Sequence, residues 1–169
     1  LIGFVEDINA KISPENRLVL MIIFLLVLVI SNDFYVEGTG IEILNHWLEK
    51  SKIFSQIFIC LCFLFVINGA NLIDGYNGLL SFHSLIILVN LFIINFLSQN
   101  NDLANLLFFM ILILTIFLKF NFPKAKVFLG DSGSYLLGAF IAISAIKTSI
   151  ANPTISPFYF CILLFYLFF

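Results

Sequence analysis

The sequence predicts an all-α fold, a polytopic bundle of about six transmembrane helices. Three observations predict it: scarce charge, long apolar runs, and no strand-like alternation. Of the 169 residues, 62% are hydrophobic and 11% charged, whereas soluble domains carry roughly a quarter charged residues. Mean hydropathy is +1.12, which excludes an ordinary water-soluble fold. Lipid leaves every backbone polar group to be satisfied internally, so helices or closed barrels span it, and no period-2 pattern bounded by turns recurs as a barrel requires.

A helix needs about 20 apolar residues to cross the hydrocarbon core, somewhat fewer with snorkelling flanks. The expected spans are Leu18 to about Val36, Ile53 to Ile67, Leu79 to Leu97, Leu103 to Leu118, Tyr135 to about Ile150, and Pro157 to Phe169. The first is apolar only as far as Ile30, and the last stops at the chain end. The chain starts without Met and stops inside an apolar run, so the sequence reads as one integral membrane domain over residues 1–169, an internal fragment of a longer protein. Cys60, Cys62 and Cys161 sit inside apolar runs, and neither their number nor their spacing suits a disulfide framework or a zinc site. They read as packing residues.

Six alternating spans divide the connecting segments between two sides. Residues 1–17, 68–78 and 119–133 share one side, and residues 31–52, 98–102 and 148–156 share the other. Lys11, Arg17, Lys119, Lys124 and Lys126 fall on the first, with Lys50, Lys52 and Lys147 on or next to the second, so the positive-inside rule puts the first side in the cytoplasm. On the second side, Ile41, Leu44, Trp47 and Leu48 recur at helical spacing, which predicts a short amphipathic helix lying in the interface, with Asp33, Glu37, Glu42 and Glu49 as a solvated face. The net charge of −2 shows neither a nucleic-acid footprint nor an acidic tail.

Three polar clusters share the first side: Glu6 and Asp7, then Asn68, Asn71, Asp74 and Asn77, then Asp131. Carboxylates drawn together at a membrane end repel unless a cation neutralises them. Mg²⁺, with Mn²⁺ as a substitute, suits such a site, because it takes one or two carboxylates completed by water and substrate phosphates. Asn68, Asn71 and Asp74 step by three and share about a third of a helix circumference, and Gly75 and Gly78 follow, where backbone can approach a ligand closely. The local alternative is a helix C-cap and turn. Asp131, Ser132 and Ser134 precede the run from Tyr135, so each could be a plain N-cap. The functional alternative is a helix N-terminus that presents free N–H groups and a positive dipole end to phosphate. Glu6 and Asp7 could be an acidic turn ahead of the helix start at Ser13-Pro14. His83, Ser81, Ser84, Asn90 and Asn95 read as packing residues that face neighbouring helices.

The strings GFVED with the downstream SPENRL, NGANLIDGYNGLL, and KVFLGDSGSYLLG occur in this order, on one side, across nearly the whole chain. In this the sequence resembles the polyprenyl-phosphate N-acetylhexosamine-1-phosphate transferases of glycosyltransferase family 4. The resemblance implies that Asp131 is a magnesium ligand, that Asp74 is the required acid of the DG motif, and that Glu6 and Asp7 are the paired acids acting on the lipid phosphate. It places Asn121 and Phe128 where some members contact uridine, and Asn68, Asn71 and Asn77 among the substrate-binding residues. Glu6 stands where the family usually has Asp, which changes its reach. Asn77 stands where a second Asp is common, which puts a nucleotide contact in doubt and argues against the muramoyl-pentapeptide branch.

The implied reaction is attack by polyprenyl phosphate on the β-phosphorus of a UDP-N-acetylhexosamine, giving a lipid-linked sugar diphosphate and UMP. It would start cell-wall or surface polysaccharide synthesis at the cytoplasmic face of a bacterial plasma membrane. A UDP-sugar, the lipid phosphate, the membrane and a second copy of the chain are the expected partners, and nucleic acid is not. A transporter or channel is the rival class and predicts acids at mid-bilayer with broken helices. A structural subunit whose Asp and Gly residues only cap helices is a third. A phosphatidyltransferase of the CDP-alcohol type would show a dense run of aspartates on one segment, and the GDSG string of trypsin-like proteases would need a β-barrel host; neither is present.

Overall fold

The computed structural model describes residues 3, 13–36, 39 and 41–164, with backbone only for 157 and 158. Among them seven helices and no strand occur: α1 Pro14–Ser31, α2 Glu42–Lys50, α3 Lys52–Ile73, α4 Leu79–Leu97, α5 Asn101–Asn121, α6 Gly130–Ala151 and α7 Pro157–Leu163. Five of these, α1 and α3 to α6, are long and apolar enough to cross a membrane. The expected sixth span is seen only as α7, seven residues long, and its remaining residues 165–169 lie outside the described residues.

Local chemistry sets the helix ends. Ser13 caps α1 by accepting from the Asn16 N–H at 3.4 Å, and Pro14 takes the first position, where its missing N–H is no loss. The helix therefore starts earlier than Leu18. It also ends earlier than Val36, because the Asn32 side chain donates to the Leu28 carbonyl at 2.9 Å and Asp33 turns into the left-handed region at φ 52°. Ser55 clips the returning chain onto α3, accepting from Val36 N–H at 2.7 Å and donating to the Val36 carbonyl at 3.0 Å. Ser51 closes α2 and caps α3, so the short helix is fixed at this end of the spans. Of its expected apolar stripe Leu48 is buried, while Ile41 and Trp47 are exposed, as is Ile43 outside that stripe.

The core forms where α3, α4 and α6 meet, around Ile59, Phe63, Leu88, Leu91, Leu137 and Ile141. The α3–α6 crossing is unusually close. A Cβ placed on Gly138 would stand 2.9 Å from Ala70 Cβ and from Ile67 Cα, the small-residue contact by which spans approach without a hydrophobic driving force. At the far end α4 and α6 are joined by Asn95 Nδ2 donating to Thr148 Oγ1 at 2.7 Å. The tight crossing has one consequence for function: it brings the last turn of α3 beside the first turn of α6.

Candidate active site

α3 runs to Ile73 rather than stopping near Ile67, so Asn68 and Asn71 ride on its last turns and Asp74 is its C-cap. The capping alternative thus holds for Asp74 in position. It fails for α6, whose N-cap is Leu129 with no side-chain cap bond, leaving Asp131 and Ser134 inside the first turns. There the partial positive charge of the helix N-terminus favours an anion or a carboxylate.

Asn71 joins the two helices. Its Nδ2 donates to Asp131 Oδ1 at 2.7 Å and to Ser134 Oγ at 3.0 Å, and Ser134, fully buried, donates to the Asp131 carbonyl at 3.3 Å. The carboxyl of Asp74 is pushed up to about 6, first by burial and then by the charge of Asp131. The two acids therefore share one electrostatic neighbourhood, although they are 57 positions apart (131 − 74).

The other expected residues are placed differently. Asn68 donates back to the Leu64 carbonyl of its own helix at 2.8 Å. Asn77 is exposed and donates to the Pro123 carbonyl at 3.3 Å. Asn121 is buried, with its amide engaged by backbone on two loops, and Phe128 is 72% exposed at the lip of the second loop. Glu6 and Asp7 lie outside the described residues. Gly3, from the same motif, is buried against the start of α6, where an added Cβ would stand 2.5 Å from the Asp131 carbonyl oxygen.

Two features were not singled out from sequence. Ser134 looked like a capping candidate, whereas its spacing of three from Asp131 puts both on one helix face. Arg17 looked like one charge in a topology count, whereas its guanidinium lies 5.9 Å above the ring of Tyr135, within cation–π range. Tyr135 also borders an apolar groove of about 480 Å³ between α1, α3 and α6, lined by Gly3, Met21, Leu25, Ile67 and Leu136 as well. The groove reaches Ser132, next to Asp131.

Among the described residues no three His, Cys, Asp or Glu side chains converge. What stands together is a carboxylate pair with an amide and a hydroxyl, set at a helix N-terminus beside an apolar groove. Asp74 and Asp131 lie at span ends rather than at mid-bilayer, which disfavours the transporter alternative.

A family model described as glycosyl transferase family 4 matches residues 1–149. The phospho-N-acetylmuramoyl-pentapeptide-transferase of Dictyoglomus turgidum is 35% identical over 149 residues, covering 84% of this chain and 47% of the relative. The protein of the same name from Streptococcus agalactiae serotype Ia is 31% identical over 153 residues, covering 86% and 45%. The chain thus spans about half the length of the curated relatives it matches. Both relatives carry the muramoyl-pentapeptide name, whereas the reading of Asn77 pointed away from that branch. With the three motifs, the helical spans and the family match in agreement, this integral membrane chain belongs to glycosyl transferase family 4.

Proposed function

We propose that this chain carries part of the active site of an enzyme that transfers N-acetylhexosamine 1-phosphate from a UDP-sugar to polyprenyl phosphate, releasing UMP. The observation that carries the reading is the junction of Asn71, Asp131 and Ser134 with Asp74 beside it, at the end of an apolar groove. A soluble diphosphate and a lipid phosphate can meet there and nowhere deeper in the bilayer.

The donor set fits Mg²⁺, with Mn²⁺ as a substitute: two neighbouring carboxylates, both partly exposed, so that water and phosphate oxygens can complete the shell. Asp131 and Asp74 would hold it. When bound, the ion neutralises the diphosphate and the departing UMP. Asn71 would hold the Asp131 carboxylate in place through its bond to Oδ1. Glu6 and Asp7 would keep the acceptor phosphate deprotonated while its oxygen forms a bond to the β-phosphorus and the bond from that phosphorus to the UMP oxygen breaks. Gly3, from the same motif, packs against the Asp131 backbone, which supports this role. Asn77 and Phe128, on the exposed loops beside the site, would face the nucleotide sugar, while Asn68 and Asn121 would shape the site from the ends of their helices. Arg17 and the nearby Lys119, Lys124 and Lys126 support a cytoplasmic placement of this end.

The test uses the longer protein that contains this chain. Asp131→Ala should abolish Mg²⁺-dependent UMP release from a UDP-sugar and undecaprenyl phosphate; retained turnover overturns the role of Asp131. A panel of UDP-sugars, including UDP-N-acetylmuramoyl-pentapeptide, the group in the relatives' names, identifies the donor.

A further inference from the structure

We propose that Asn121 is a positioning residue whose buried side-chain amide locks residues 74–78 to residues 122–129, so that the two loops flanking Asp131 behave as one body. Asn121 is the last residue of α5 and is 5% exposed. Its Oδ1 accepts from the Gly78 N–H at 2.6 Å, across 43 positions of sequence, while its Nδ2 donates to the Val127 carbonyl at 2.9 Å. One short side chain therefore supplies an acceptor to one loop and a donor to the other.

The surroundings are built around this lock. Gly78 sits at φ 79°, a left-handed conformation that glycine adopts at no steric cost; there its carbonyl accepts from the Phe82 N–H at 2.8 Å to start α4, while its N–H meets Asn121. A Cβ there would also come within 3.1 Å of the Phe122 ring. Phe122 in turn packs edge-on against Phe82 of α4 with ring centroids 5.3 Å apart. The second loop is tied back to the end of α5 by the Lys126 N–H donating to the Phe120 carbonyl at 2.8 Å, and Asn77 adds an exposed bond to the Pro123 carbonyl at 3.3 Å.

The geometry explains why asparagine stands here. Aspartate keeps the acceptor but offers an oxygen where Val127 needs a donor, and alanine offers neither. The resemblance assigned Asn121 to uridine, whereas this amide is buried and holds a backbone partner at each end. The lock presents Asp74 and Phe128 together, and its catalytic relevance rests on the transfer reading above.

The experiment is hydrogen exchange on the longer protein in lipid nanodiscs, without nucleotide, followed by steady-state kinetics. Asn121→Ala should speed exchange at least tenfold in peptides covering both 75–79 and 122–129, with the interiors of α4 and α5 unchanged. Asn121→Asp should keep the Gly78 amide slow and loosen 122–129 alone, which preserves the test should the alanine variant misfold. Unchanged exchange in either loop of the alanine variant, with the helices intact, overturns the lock. In turnover, the positioning role predicts a tenfold or larger fall in kcat at saturating UDP-sugar. A raised KM with kcat intact would make Asn121 a base contact and overturn the proposal. A wild type that releases no UMP sinks the transfer reading and leaves the exchange result standing.

Discussion

Replacing Gly138 by alanine probes the contact on which the site depends. The new methyl would stand 2.9 Å from both Ala70 Cβ and Ile67 Cα, where ordinary contact begins at 3.4 Å. All three of its neighbours are backbone or a methyl with no rotamer to adopt, so α3 and α6 must part by about 0.5–1 Å. Overpacking of this kind costs about 1–3 kcal/mol. Asn71 follows Ala70 directly on α3, so the same displacement would lengthen its 2.7 Å bond to Asp131 to about 3.2–3.7 Å, where a hydrogen bond is weak or lost. The assay is thermal unfolding of wild type and Gly138→Ala in nanodiscs, with divalent-ion affinity measured on both. A variant that keeps wild-type stability and affinity refutes the claim that this crossing sets the site.

Three further outcomes follow from the geometry. Asn71→Ala removes the donor from Asp131 Oδ1 and should weaken divalent-ion affinity by about 10–100-fold, as loss of an orienting partner commonly does; isothermal titration checks it, and unchanged affinity contradicts it. Asp74 has a carboxyl raised from 3.8 to about 6, so the folded protein holds its proton more readily than the unfolded chain. That contribution is fully present below about pH 4 and is lost as pH rises through about 6. Asp74→Asn, which cannot ionise, should therefore gain stability relative to wild type across that window in EDTA, as read by melting temperature; a gap that does not change with pH is the contrary result. Trp47 stands exposed on α2 with Ile43 one turn away, and brominated lipids should quench a fluorescence component that Trp47→Phe removes. Absence of that component would take α2 out of the interface.

How much of this could be read from sequence depended on how local each cause is. Ser13-Pro14 announces a helix start because a cap and a donor-free first residue act within one turn. The threefold stepping of Asn68, Asn71 and Asp74 is helix geometry, and the last turns of α3 carry these residues as the stepping implies. That Asp131 shares a site with Asn71 was legible only through the alternation of spans, since 60 positions separate them. The direction of the Asn121 amide was not legible, because it depends on where two loops return after crossing the membrane. Nor was the apolar groove, which arises from the packing angle of α1 against α3 and α6 and has no counterpart in any one segment. The first span was carried too far, to about Val36, although its apolar run stops at Ile30; the helix ends one residue beyond that run, at Ser31, where Asn32 caps it.

The most direct measurement is a Mn²⁺ titration of the longer protein followed by electron paramagnetic resonance. The account predicts one tightly held ion, lost in Asp131→Asn and lost again in Asp74→Asn, with the fold of each variant verified by its melting transition. An ion retained at full affinity by both folded single variants would contradict it.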